Sequence, residues 1–374
     1  MHKIRLFFII TTFSAGGGSE ALLTSIVNAL DDTGKYEIGI MEIIHNYKKD
    51  EPIHASIKIY PYYVEADALD RKKRMYYIYH EWDKVISEYI PNDYDIYISF
   101  SYLRASFLLP RGKKCISWIH GDLYNLINRY PGLRDMSEEC ELQREALAKA
   151  QKIVAISDKT RKSIEDIFPE YRSKIYTIYN GVDTDSIMEK SKEATDVVLK
   201  KPAILYIGRL EQGKDPLRTL TIFSQLCQYR KDAHLYYLGY GDLTESIVEE
   251  SKKNGIVKFV HMLGYHDNPF PIIRQADVVI MTSRSEGFPM SLLESVTLGV
   301  PFVSTDVGGS KELSKCNSCG KVYVNNQEAV EAILDYLGAN KDELKINAKN
   351  TMRQFGMKRY ISEIENLIQE VLKN

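Results

Sequence analysis

Glu286 and Glu294 bracket the segment Glu286-Gly287-Phe288-Pro289-Met290-Ser291-Leu292-Leu293-Glu294, with seven residues between the two acids. The pattern reads as a loop entering a helix, which puts one carboxylate at the loop mouth and the other one to two turns inside. Pro289 suits the first helical position because it has no amide hydrogen to leave unpaired, and Gly299 with Pro301 closes the helix. The amides that follow Pro289 then form an anion site reinforced by the helix dipole. Acids on either side of a phosphate site suit a ligand with hydroxyls on both sides of a phosphate, and a nucleotide sugar is such a ligand.

A second group of polar residues follows an apolar run at Ala203–Ile207, in Gly208-Arg209-Leu210-Glu211-Gln212-Gly213-Lys214-Asp215-Pro216. A strand leading through glycines and two cations into a helix belongs at the carboxyl edge of a sheet, where open α/β folds bind ligands. Arg209 as a fork and Lys214 as a point charge suit a diphosphate there, although a solvated loop pair has the same spelling. Gly239-Tyr240-Gly241 and Leu263-Gly264-Tyr265-His266 follow the next two strands, and Val307-Gly308-Gly309-Ser310 follows a later one. Such glycines admit a planar base, and tight turns need them equally.

The elements that must position these residues follow from the hydrophobic pattern. Short apolar runs alternate with amphipathic stretches, the mark of parallel sheets covered on both faces. The strand candidates are Ile4–Ile10, Tyr36–Ile43, Ile57–Tyr60, Asp95–Phe100, Cys115–His120, Ile153–Ser157 and Ile175–Tyr179, then Ala203–Gly208, Ala233–Gly239, Val257–Gly264, Val278–Thr282, Pro301–Thr305 and Lys321–Val324. This is the α/β class, with two doubly wound Rossmann-like domains. We place the first at residues 1–184, a charged linker at 185–201, the second domain at 202–356 and an amphipathic helix at 357–374 that could return to the first domain.

Composition narrows the class further. The chain has 374 residues, 44% hydrophobic and 27% charged, enough for two cores in an ordinary globular protein. A formal charge of −2 gives no support to nucleic-acid binding. The apolar run Ile4–Ile10 is too short to span a bilayer and leads into Gly16-Gly17-Gly18 rather than a cleavage site, so a buried first strand and a cytoplasmic chain are expected. Five cysteines without a secretory context argue for free thiols; Cys316-Asn317-Ser318-Cys319 has metal-ligand spacing but no second pair, and reads as a turn before a strand.

Taken together, Gly208-Arg209-Leu210 with Lys214, the segment Glu286 to Glu294, Gly299-Val300-Pro301 and Gly308-Gly309 resemble the family 4 glycosyltransferases of the two-Rossmann-domain (GT-B) fold. The resemblance is specific from about Asn180 to Glu312 and looser before that. It implies two domains facing across a cleft and retaining transfer from a nucleotide sugar, with no metal and no other cofactor; the donor expected for this chain is a UDP-sugar. It also implies roles: Arg209 and Lys214 on the diphosphate, Glu286 on the transferred sugar and Glu294 on the ribose. The amides of Gly287, Phe288, Pro289's successors Met290, Ser291 and Leu292 would then hold oxygens of the donor. Gly16, Gly17 and Gly18 match the family's glycine loop, and His120, in Trp118-Ile119-His120-Gly121-Asp122, matches a histidine near the sugar. The residues Gly208, Gly239, Leu263, Gly264 and Tyr265 complete the donor contacts expected. His120 also reads as an ordinary hydrogen-bonded histidine at a strand end. Asp183-Thr184-Asp185 spells a metal motif but is read as structural.

Arg71, Lys72, Lys73 and Arg74 precede Met75-Tyr76-Tyr77 in the half that binds acceptors in the resembled family. Such a cluster suits anionic lipid heads at the inner face of a membrane, or an ordinary solvated helix start. Tyr62, Tyr63, Tyr76, Tyr77, Tyr79 and Tyr124 would suit sugar stacking. The expected partners are the donor and an oligosaccharide or lipid-linked acceptor for polysaccharide or glycan synthesis; no feature fixes an oligomeric state. Two rival readings are a sugar-nucleotide epimerase of the same architecture and a non-catalytic nucleotide-sugar-binding subunit.

Overall fold

A computed structural model describes residues 3–13, 18–44, 53–62, 76–78, 80–101, 104–124, 136–315 and 319–373. The chain divides into two compact units, one of Met1–Tyr179 with Tyr360–Asn374 and one of Asn180–Arg359.

The first unit holds a seven-stranded sheet: β1 (Ile4–Ile10), β2 (Tyr36–Glu42), β3 (Lys58–Pro61), β4 (Ile96–Ser99), β5 (Cys115–Ile119), β6 (Lys152–Ala155) and β7 (Ile175–Thr177), in the order β3-β2-β1-β4-β5-β6-β7. Every pairing is parallel, as between Leu6 and Ile96 or Ile116 and Lys152. Strands covered on both faces read as unbroken apolar runs, and Leu6 through Ile10 are accordingly buried. Phe7 anchors one side with its ring centroid 4.9 Å from Tyr94 and 5.5 Å from Tyr60. Gly39 on β2 leaves room for that cluster, because a Cβ there would stand 2.5 Å from the Tyr94 hydroxyl.

The second unit holds a six-stranded parallel sheet: β8 (Ala203–Ile207), β9 (His234–Leu238), β10 (Val260–Gly264), β11 (Val278–Met281), β12 (Phe302–Thr305) and β13 (Gly320–Tyr323), in the order β10-β9-β8-β11-β12-β13. All thirteen strand candidates fall on these strands, with ends moved by at most three residues. The largest shift is at β10, where Val257–Phe259 forms a 3-10 turn ahead of the strand.

In both sheets the order in which successive strands are added reverses between two adjacent parallel strands, β1 and β4 in one unit and β8 and β11 in the other. The crevice at such a reversal, outside the carboxyl ends of the strands, is where doubly wound folds hold ligands.

Two expectations need correction. Residues 185–201 are not a bare linker: Thr184–Lys190 is a helix, capped by Asp183, whose carboxylate accepts the Ser186 amide at 2.9 Å. Its charges face water while Ile187 is buried, and it packs on the helix Met290–Thr297 within the second unit. A charged composition concealed a short helix that needs only one apolar residue and a cap. Pro289 is the residue before the helix Met290–Thr297, at its cap position, rather than its first turn.

The terminal helix, Met357–Lys373, contributes Tyr360 onward to the first unit. Ile364, Leu367, Ile368 and Val371 are buried. Its acids are fixed there too: Glu365 accepts from Lys35 at 2.9 Å and from the Tyr36 hydroxyl at 3.1 Å, and Glu370 accepts from Lys152 and Tyr176 at 2.5 Å.

Candidate functional site

In the second unit, the loops after β8 and β11 converge at the sheet's reversal point. Thr282, just past β11, donates to the carbonyl of Asp215 at 2.8 Å, and its hydroxyl lies 2.9 Å from that of Thr219. Arg284 donates its amide to Gly213 O at 3.0 Å and its Nε to Asp215 Oδ2 at 3.0 Å. These bonds hold residues 213–215 beside residues 282–284, and so bring Lys214 to Glu286. The Lys214 ammonium donates to both Glu286 oxygens, at 2.6 and 2.8 Å, and the Ser283 hydroxyl donates to Oε1 at 2.6 Å. The two side chains are only 24% and 13% exposed, which makes this a partly desolvated ion pair.

Arg209 lies on the same loop as Lys214 but stands apart from that pair. Its side chain is 66% exposed and ion-paired with Glu211 at 2.9 Å, while its carbonyl accepts from the buried Tyr206 hydroxyl at 3.0 Å. Burial, with Glu286 nearby, pushes that Tyr206 hydroxyl well above the usual tyrosine range.

The glycines here fit backbone against backbone. At Gly239, with φ +140°, a Cβ would stand 2.1 Å from Gly208 O, and one at Gly241 would stand 2.4 Å from Leu210 O. Gly239 also donates to Gly264 O at 2.8 Å and Leu210 donates to Tyr240 O at 3.0 Å, so the loops after β8, β9 and β10 are laced together at one edge. Close loop packing therefore accounts for these glycines without a ligand. Tyr240 and Tyr265 extend from that lacing, 68% and 60% exposed, in edge-to-face contact with centroids 6.2 Å apart.

The helix Met290–Thr297 starts beside the pair. Its first internal bond is from Leu292 N to Pro289 O at 3.1 Å, and the amides of Met290 and Ser291 have no backbone acceptor among the described residues. Phe288 and Leu292 are buried, so only their main chains can face a ligand. The β12 loop braces this turn: a Cβ on Gly308 would meet Gly287 O at 2.3 Å, and one on Gly309 the Phe288 ring at 2.2 Å. Glu294, the fifth helical residue, retains some surface, yet its carboxyl lies in surroundings that withhold water. Burial pushes it up to about 7, and among the described residues no side chain pairs with it.

In the first unit, His120 follows β5 with its ring 4.2 Å from that of Phe100 and nearly parallel to Trp118. Its Nε2 is buried without a hydrogen-bond partner. Burial holds its pKa down to about 3, so the imidazole is neutral at physiological pH. Around the reversal point of this sheet lie groups that the spacing did not single out. The hydroxyls of Thr11 and Ser101 lie 2.8 Å apart, Glu20 accepts from Thr12 and Ser19 at 2.8 Å, and buried Glu42 accepts the Phe13 amide at 2.6 Å. Gly18 opens the helix Gly18–Asp32 with open space around it.

Gly16, Gly17, Arg71, Lys72, Lys73, Arg74, Tyr63, Tyr79 and Cys316 lie outside the described residues. Cys319 is buried and its thiol donates to Leu344 O at 3.0 Å. Of the remaining tyrosines, Tyr62 is buried against Tyr89, whereas Tyr76 and Tyr124 are exposed. No helix among the described residues is long and apolar enough to cross a membrane.

Missing from the sequence reading were Thr282, Ser283, Arg284 and Asp215. Their signal was position: each lies within four residues of Lys214 or Glu286 on a strand-to-helix loop at the edge already suspected.

Two family models match the chain in succession: Glycosyltransferase Family 4 over residues 16–186 and Glycosyl transferases group 1 over residues 187–354. Among curated proteins, a lipopolysaccharide 1,6-galactosyltransferase of Salmonella typhimurium is 24% identical over 90% of this chain and 88% of its own length. The N-acetylgalactosamine-N,N'-diacetylbacillosaminyl-diphospho-undecaprenol 4-alpha-N-acetylgalactosaminyltransferase of Campylobacter jejuni is 28% identical over 46% of this chain, a match spanning 47% of that protein. Several of the curated matches likewise span about half of the relative or less. Among solved structures, the lipopolysaccharide outer core galactosyltransferase WaaB, in its apo form, has a TM-score of 0.72 at 19% identity over 98% of this chain and 99% of its own. Alr3699/HepE of Anabaena, solved in complex with UDP, has a TM-score of 0.74 at 16% identity over 98% of this chain and all of its own. These likenesses show the two-Rossmann-domain fold.

Proposed function

The chain belongs to the family 4 glycosyltransferases of the GT-B fold, and from that premise we propose that it transfers a sugar, with retention of configuration, from a nucleotide-sugar donor to a glycan or lipid-linked acceptor. The carrying observation is the Lys214–Glu286 pair, 2.6 Å apart beside a helix start, at the reversal point of the second sheet. The pair offers a cation for a leaving diphosphate and a carboxylate for sugar hydroxyls, and the amides of Met290 and Ser291 offer further donors to phosphate oxygens. Glu294, further along the helix, would accept the ribose hydroxyls.

Cleaving the anomeric bond builds positive charge on the sugar and negative charge on the diphosphate. Lys214, Arg209 and the helix start answer the negative charge in this reading, so no metal is required of the mechanism. Arg209 would leave Glu211 for the donor, a short rotation for an exposed side chain. In the first unit His120, neutral and with a bare Nε2, has one hydrogen bond left to give or take, which suits the role that the family resemblance implies for it. We assign the acceptor to lipopolysaccharide-like or O-antigen-like glycans from the activities of the relatives, and UDP as the carrier from the nucleotide bound to the structurally similar HepE.

The test is release of nucleoside diphosphate from UDP-, GDP- and ADP-sugars, each with and without lipid-linked acceptor extract. Acceptor-stimulated release from one carrier is the expected result. Conversion of a donor to its epimer without release would replace the reading with a sugar-nucleotide epimerase.

A further inference from the structure

Asp215 is the only non-glycine residue with positive φ among the described residues, at φ 49° and ψ 52°. Left-handed backbone is unfavourable for side chains other than glycine, less so for aspartate than for most, and it persists where surrounding structure enforces it. The residue also stands at the cap of the helix Pro216–Leu226, where an aspartate normally accepts a first-turn amide. Its side chain makes no such bond. The carboxylate turns instead to Arg284, whose Nε lies 3.0 Å away. A residue well suited to capping thus gives up the cap, in a strained conformation, to join two loops.

Those loops carry the proposed chemistry. Asp215 follows Lys214 directly, and Arg284 precedes Glu286 by two residues. The Arg284 amide holds Gly213 O at 3.0 Å, and Thr282 holds the carbonyls of Lys214 and Asp215 at 3.2 and 2.8 Å. The side-chain bridge between Asp215 and Arg284 closes this staple on its exposed side, with Arg284 58% and Asp215 21% accessible. An ion pair that exposed adds little to global stability. Its leverage is on the Lys214 backbone, whose direction sets where the ammonium ends.

We propose that Asp215 and Arg284 are positioning residues that hold Lys214 in line with the leaving diphosphate of the donor. This rests on the reading of Lys214 given above. The planar guanidinium matters because Nε fixes one edge of the fork on the carboxylate, which an ammonium cannot reproduce.

Asp215→Gly separates positioning from folding, because glycine adopts the left-handed backbone freely while removing the carboxylate. Donor turnover and UDP affinity are measured for the wild type, Asp215→Gly, Arg284→Ala, Arg284→Lys, the Asp215→Gly/Arg284→Ala double variant and Lys214→Ala. We expect kcat to fall five- to thirtyfold in each single bridge variant, lysine included, with UDP affinity within threefold of wild type and an unaltered melting temperature. The double variant should be no slower than the slower single one. Wild-type kcat in Asp215→Gly, or losses that multiply in the double variant, would overturn the proposal. If Lys214→Ala itself turns over normally, the reading of Lys214 fails instead, and the bridge is left with no cation to position.

Discussion

Replacing the two members of the Lys214–Glu286 pair singly and together should reveal a coupling that the geometry sets. The ammonium reaches both carboxylate oxygens, and the exposures of 24% and 13% leave water little share in the interaction. A charged hydrogen bond in such surroundings contributes about 1.5–3 kcal/mol, well above the median for a surface pair. Lys214→Ala leaves Glu286 with Ser283 as its side-chain partner among the described residues and should cost about 2–3 kcal/mol, since a desolvated carboxylate loses its counter-charge. Glu286→Ala leaves the more exposed ammonium and should cost less, about 1–2 kcal/mol. The double variant should then cost about 2 kcal/mol less than the sum of the two. The probe matters, because Trp82 and Trp118 are the chain's two tryptophans and both lie in the first unit. Intrinsic fluorescence would report that unit, so the cycle is read from amide hydrogen exchange on β8 and β11 in ligand-free protein. Effects that add to within about 0.5 kcal/mol would refute the argument that the two loops act through this pair.

Three further outcomes follow from individual groups. Burial holds the Glu294 carboxyl near 7, above its unfolded value, so it ionises in the folded protein only as pH rises through about 7; UDP should bind more tightly across that range if the ionised form receives the ribose hydroxyls. Calorimetry should find that rise in wild type and a flat profile about 1–3 kcal/mol weaker in Glu294→Gln, whereas Glu286→Gln should lose turnover more than UDP affinity; the reverse pattern would exchange the two roles. Activity should survive excess chelator and give an α-linked product from an α-linked donor, a combination that an inverted product or a divalent-ion requirement would break. Neutralising Arg71, Lys72, Lys73 and Arg74 together should weaken co-sedimentation with anionic vesicles by about 1 kcal/mol per cation at low salt while leaving donor hydrolysis intact, and unchanged co-sedimentation would return them to the solvated surface.

The sequence exposed the strands well because a parallel sheet buried on both faces demands unbroken apolar runs, and runs such as Leu6–Ile10 have few other uses. Short helices were harder. The helix Thr184–Lys190 hides in a charged stretch, since one buried isoleucine and one capping aspartate are enough to hold it. At the site, residue type and spacing pointed to Lys214 and Glu286 separately, and only the strand order brings their loops together. The partners that hold them are hydroxyls and one bridge whose types are unremarkable in a loop. Thr282, Ser283 and Arg284 gain meaning from their position opposite residues 213–215, some seventy positions earlier in the chain, as with the 69-residue separation of Arg284 and Asp215. Glycines were legible as a pattern but not in purpose: a Cβ at Gly239 or Gly241 would stand 2.1 or 2.4 Å from a neighbouring backbone oxygen, a close packing that spacing alone cannot distinguish from room for a base.

The central claim is that a nucleotide-sugar donor occupies the reversal point of the second sheet. Amide hydrogen exchange with and without saturating UDP-sugar tests it most directly. Protection should concentrate in residues 208–215, 239–241, 263–265 and 286–294, and Lys214→Ala should diminish it at every one of these segments. Tight donor binding with protection confined to other parts of the chain, or no protection from UDP-, GDP- or ADP-sugars at millimolar concentration, would contradict the account.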